Sequence, residues 1–177
     1  MTIEYQDSSV ESLLTLEDMP AEQFVEQVYA SATPPERDDM VSLLVGQVYQ
    51  AAPPSVRGAL IKYLMQPLGA LSLLSIANGV FAGIRFQGGF YNPQIRLEDL
   101  QGVRVEDVVA LTHRVQQVSL HALNGLAHLL ASSPTLASSV VAMVLIKILS
   151  DRAKIYHDDD SRIRSVPHFP ERRTHPV

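Results

Sequence analysis

The sequence predicts an all-α fold, a single compact bundle or stack of about six helices, and three observations carry that expectation. Apolar residues recur at spacings of three and four along most of the chain, proline-bounded turns separate those runs, and only the stretch 85–96 lacks a helical pattern. A chain of 177 residues can bury a real core as one domain, expected over 1–156, followed by a disordered Pro/Arg-containing tail over 157–177. The absence of cysteine removes disulfides, thiol nucleophiles and thiolate metal sites, and fits a cytoplasmic protein.

Net charge is −5 but unevenly spread. Residues 1–40 hold ten acids against Arg37 alone, which gives −9 and leaves +4 for the remainder. Such an asymmetry marks a solvated acidic surface, or a face that meets a basic partner or the basic part of a neighbouring copy. The opening MTIEYQDSSVESLL carries acids where a signal peptide carries positive charge and has no long apolar run, so no such leader is expected.

The polar opening stretch, Met1 to Thr15, is expected to fray. A first helix starts near Pro20, with Phe24, Val25, Val28 and Tyr29 as its apolar stripe, and stops near Ser31 to Thr33. Thr33-Pro34-Pro35-Glu36 reads as a capping box with proline at the first helical position, opening a second helix with Met40, Val41, Leu44, Val48 and Tyr49 inward. Laying residues 24–44 on 44–64 gives eight identities in 21 positions, among them Tyr29/Tyr49, Ala32/Ala52, Pro34/Pro54 and Arg37/Arg57. The repeated unit is a helix end, a proline turn and a helix start, as in stacked short helices.

The chain is organised around Tyr63 to Ile84, the longest strongly apolar segment without Asp, Glu, Lys or Arg. From Leu68 its apolar residues surround a helix on all sides, which predicts a central buried helix. Ser72, Ser75, Gly79 and Gly83 recur on one side as a small-residue groove where another backbone approaches. A membrane span needs about 20 mostly apolar residues, and the helical part, Pro67 to Ile84, falls short of that with Asn78 inside it. Membrane insertion is therefore not expected.

Gly88-Gly89 between IRF and FY suggests a small hairpin, with Pro93 limiting its second arm. Three of the 11 aromatics, Phe86, Phe90 and Tyr91, cluster there between Arg85 and Arg96. Aromatic and arginine side chains carry interface energy, so these five residues form the candidate partner-binding loop. Nucleic acid is not an expected partner, because no extended basic stripe accompanies them.

Arg96-Leu97-Glu98-Asp99-Leu100 and Arg104-Val105-Glu106-Asp107-Val108 repeat one pattern, and Leu16-Glu17-Asp18-Met19 echoes it. Acids at those places cap helix starts and match no metal-loop spacing. A long helix is expected from about Val105 to Leu130, its stripe of Val108, Leu111, Val115, Val118, Ala122, Leu126 and Leu129 packed on the central helix. His113, Gln117 and His121 line another side, but two histidines two turns apart, about 12 Å, cannot chelate one ion. No metal or cofactor motif is present. Ser133-Pro134 should restart a last helix over about 135–155, with Leu136 to Ile148 apolar and Lys147 inside what would otherwise be a span. Arg162, Arg164, Arg172 and Arg173 then offer a basic tail to the acidic segment 1–40 of this or another copy, so that deletion of 157–177 should lower self-association at low salt.

The sequence holds no GxSxG elbow, P-loop or GxGxxG, and an enzyme is not the expected class. The expected function is non-catalytic protein interaction or assembly, with a protein partner or a homo-oligomer formed through apolar helix faces. The alternative is a helical bundle that binds an apolar small molecule or rests on a membrane surface.

Overall fold

The computed structural model describes residues 20–88, 95–136 and 139–163, and it is all-helical there. Nine α-helices are present among the described residues: α1 (Ala21–Ser31), α2 (Pro34–Ala51), α3 (Pro54–Met65), α4 (Ala70–Leu74), α5 (Val80–Gly88), α6 (Leu97–Gln101), α7 (Val105–Val118), α8 (Asn124–Ala131) and α9 (Val140–Ile163). Two 3-10 turns, Ala77–Gly79 and Leu120–Leu123, join α4 to α5 and α7 to α8. The count exceeds the expected six because two expected helices are each broken in two and the short α6 is added before α7.

The centre is the pair α2 and α7. Val41, Val45 and Val48 meet the apolar side of α7 at Val108, Leu111 and Val115, all fully buried. Gly46 lets the two backbones close, since a methyl there would sit 2.7 Å from Val109 Cγ2. Around this pair, α9 packs on α8 and α2, α3 packs on α7, and α1 lies on α9.

The capping chemistry follows the sequence. Thr33 donates both its N–H and its hydroxyl to Glu36 Oε2, each at 2.7 Å. Those bonds hold the exposed Glu36 carboxyl below its ordinary range, the hydroxyl being the larger cause. This contribution is therefore present at neutral pH and fades as pH falls through the lowered value. Asp99 and Asp107 each accept the N–H of the arginine three residues earlier, at 2.9 Å, which is the capping role expected for both acidic repeats.

The internal repeat has a physical cause. Arg37 donates to the carbonyls of Tyr29 and Ala30 at the end of α1, at 3.0 and 2.6 Å, and its guanidinium lies 5.6 Å from the Tyr29 ring centre. Arg57 does the same for α2, donating to Ala52 and Gln50 at 2.8 and 2.6 Å, over the Tyr49 ring at 5.3 Å. Each arginine satisfies orphan carbonyls at the negative end of one helix from the first turns of the next. Lysine lacks the planar fork that reaches two carbonyls at once, which explains why both copies of the repeat use arginine.

Several expectations are corrected. The central helix is not continuous. It ends at Leu74, turns extended only at Ile76 and restarts at Val80, because Ala77, Asn78 and Gly79 adopt left-handed backbone and Ser75 Oγ turns back to the Ser72 carbonyl at 2.8 Å. The expected 105–130 helix breaks at Ser119, whose extended backbone re-aims the chain so that α7 packs on α2 while α8 packs on α9. The 105–130 stripe thus meets α2 as its main partner, and the central segment only marginally. Ser133 does not start a helix at 134. Its hydroxyl pairs with Thr135 at 3.0 Å in a local turn, and α9 begins at Val140 with Ser139 Oγ accepting from the Ala142 N–H at 3.4 Å. At the other end α9 continues to Ile163, so the expected tail is helical over 157–163; residues 164–177 lie outside the described residues.

Candidate functional site

The small-residue groove does not form one helix face. Ser72 is on α4, Ser75 follows it, Gly79 lies in the 3-10 turn with φ +80°, and Gly83 is on α5. A methyl added at Gly83 would meet nothing within 4 Å, so no described helix approaches it there. Of the partner-binding residues, Arg85 and Phe86 belong to the backbone of α5, which replaces the first arm of the expected hairpin. Phe90 and Tyr91 lie outside the described residues. Arg96 precedes α6, exposed, with its N–H on Asp99. The groove and the loop are thus not brought together into one visible constellation.

What the break creates is a surface that sequence reasoning missed. On α4, Leu73 is fully buried while Leu71 and Leu74 are 82% and 51% exposed. The next residues, Ser75, Ile76 and Ala77, form one wall of a cleft of about 320 Å³ whose other wall is Ala110, His113 and Arg114 of α7. His113 Nε2 lies 3.4 Å from Asp39 Oδ1, and its Nδ1 lies 3.3 Å from Gln117 Nε2. Arg114 Nη1 donates to Gln117 Oε1 at 2.9 Å.

The backbone here is strained. Ala77, Asn78 and Gly79 have φ of 50°, 55° and 80°, three successive left-handed residues. Glycine and asparagine accept that conformation, but alanine opposes it by about 1 kcal/mol. Ala77→Gly should therefore raise stability by up to about 1 kcal/mol in urea unfolding. An Asn-Gly pair inside an apolar run is a turn signal, and it was the available clue to this break.

A second constellation is polar and joins three helices. Gln116 Nε2 of α7 donates to the Asp38 carbonyl and to Ser42 Oγ, both at 2.8 Å, and Ser42 donates to the same carbonyl at 3.0 Å. Arg152 of α9 donates to Gln116 Oε1 at 3.2 Å and to Asp38 Oδ1 at 3.0 Å. Every named group has a partner, as a buried network requires. The arginine reaches partners 36 and 114 residues away in sequence, and no local motif announces them.

Two further clefts are present. One of about 480 Å³ lies between α3 (Ser55, Gly58, Ala59, Lys62) and Ile95, Leu97 and Leu100. Another, of about 390 Å³, lies where α1, α2 and α9 meet, lined by Glu26, Tyr29, Arg37, Lys147, Ile148 and Asp151. Among the described residues no three His, Asp or Glu side chains converge as a metal site, and no helix is long and apolar enough to cross a membrane.

Comparison with known proteins gives no relative: no family model, no curated protein and no solved structure matches the chain.

Proposed function

We propose that this chain is a non-catalytic interaction or assembly protein that self-associates through exposed apolar helix faces, with a cytoplasmic setting as part of the same reading. The observation that carries it is the Leu71/Leu74 pair, exposed on a helix whose own inward leucine is already buried, beside a left-handed turn that works against the preference of Ala77. Scattered exposed leucines are ordinary, but two on one short helix next to stored backbone strain favour a contact surface. The segment 85–96 supplies specificity in this reading, through Arg85, Phe86, Phe90, Tyr91 and Arg96. Phe86→Ala with Phe90→Ala should weaken partner capture and spare the fold.

The experiment is the double variant Leu71→Asp, Leu74→Asp, compared with the natural chain by sedimentation and thermal melting. Association should fall at least tenfold, while stability changes by no more than about 0.5 kcal/mol for each exposed position. Unchanged association would remove this surface from the interface.

A second reading, an apolar small ligand, is favoured by the α1–α2–α9 cleft with Tyr29 and Ile148 in its lining. The charged Glu26, Lys147 and Asp151 around it weigh against a purely apolar guest.

A further inference from the structure

Helix α1 is attached differently from every other long helix. None of its described side chains is buried; Val25 and Tyr29 are only partly covered, and Phe24 and Val28 remain 47% and 40% exposed. The 390 Å³ cleft opens along its junction with α2 and α9. Across that junction Lys147 Nζ donates to Glu26 Oε2 at 2.5 Å, with the Lys147 side chain 57% exposed, so salt screens the pair.

Glu26 lies opposite Lys147, which ties α1 to α9, while Asp38 on α2 ties the neighbouring helix to Arg152 one turn further along α9. Val144 and Ile148, each 4% exposed, stand within one turn of Lys147, and Ile148 lines the cleft with α1. The link to α2 is Ala32-Thr33, directly before Pro34-Pro35 of α2, with ψ of 151° at Ala32 and 159° at Thr33. A residue before proline is confined to extended backbone, so this hinge is a stiff extended connection that suits exchange between copies.

We propose that α1 is a detachable strap over the Val144–Ile148 flank of α9, and that on self-association it leaves its own flank and seats on the same flank of a second copy. Exchange remakes in the partner each contact that opening breaks, including the Arg37 bonds to the end of α1, so its net cost is small. The exposed half of the α1 stripe, Phe24 and Val28, then lies at the boundary between copies. This inference rests on the self-association proposed above and names the element that moves.

The test is amide hydrogen exchange of the full chain at low and high protein concentration, with the solution mass of the same samples measured by light scattering. In the dilute monomer, amides of α1 should exchange at least 100-fold faster than those of Val108 to Val115, and they should slow as the oligomer fills. Lys147→Met should speed α1 exchange severalfold and leave α7 unchanged. Amides of α1 as slow as those of α7 in the monomer would overturn the strap. An oligomer whose α1 exchange does not slow would overturn the swap while leaving self-association standing. A monomer at every concentration would overturn self-association and the swap with it.

Discussion

Arg152→Ala is expected to cost about 2–3 kcal/mol, the largest single loss outside the apolar core, because it strips a charge and the hydrogen bonds to Asp38 and Gln116 from the junction of α2, α7 and α9. The Arg152 side chain is 15% exposed and the Asp38 side chain 34%. This is shielded enough for an abandoned partner to matter, yet wet enough to keep the loss below that of a fully buried pair. Gln116 Oε1 loses the same donor, while the Gln116 amide remains on Asp38 and Ser42. Arg152→Met keeps much of the stem packing and separates it from the polar contribution. A cycle with Asp38→Ala should show coupling of at least about 1 kcal/mol by urea unfolding; additive losses would mean that the pair contributes little beyond packing.

Gly125→Ala is the second large effect, expected to cost about 2 kcal/mol through overpacking and a lost hydrogen bond. Gly125 opens the first turn of α8, against the Tyr63 hydroxyl of α3, which accepts its N–H. Burial pushes the Tyr63 hydroxyl pKa up, more than that bond lowers it. A methyl on Gly125 would fall on the Tyr63 hydroxyl and 3.0 Å from Cζ, so the ring must swing out of its seat. Overpacking of this kind costs about 1–3 kcal/mol and the hydrogen bond about 1 kcal/mol, offset by the roughly 1 kcal/mol that alanine gains over glycine in a helix. Tyr63→Phe removes the colliding oxygen. The double variant should therefore lose about 1 kcal/mol less than the sum of the single variants in urea or thermal unfolding.

The elements that were legible in the sequence are those fixed by local chemistry. Thr33 and Glu36, the two aspartates after arginine, and the Tyr–Pro–Arg repeat each act on near neighbours in the chain, and each is found doing so. The all-helical class follows from the same short-range periodicity. What was not legible depends on which face meets which partner. Apolar residues from Leu68 to Ile84 fit one straight buried helix as well as two short ones, and the choice was made by Asn78-Gly79 together with the need to lay Leu73, Ile76 and Phe81 on the same core. Ser119 breaks a pattern whose period continues across it, because α7 and α8 have different neighbours. The Asp38–Gln116–Arg152 junction spans 114 residues and leaves no periodic trace. Leu71 and Leu74 looked like core residues because the whole circumference of the segment is apolar; on α4 they lie on faces turned away from the buried Leu73, and no described helix covers them.

The most direct measurement is the solution mass of the full chain, without detergent, by light scattering across concentration. A closed oligomer that forms as concentration rises, and that Leu71→Asp with Leu74→Asp returns to monomer, is the expected result. A monomer at every concentration would contradict self-association and move the search to the α1–α2–α9 cleft and to a partner of different sequence.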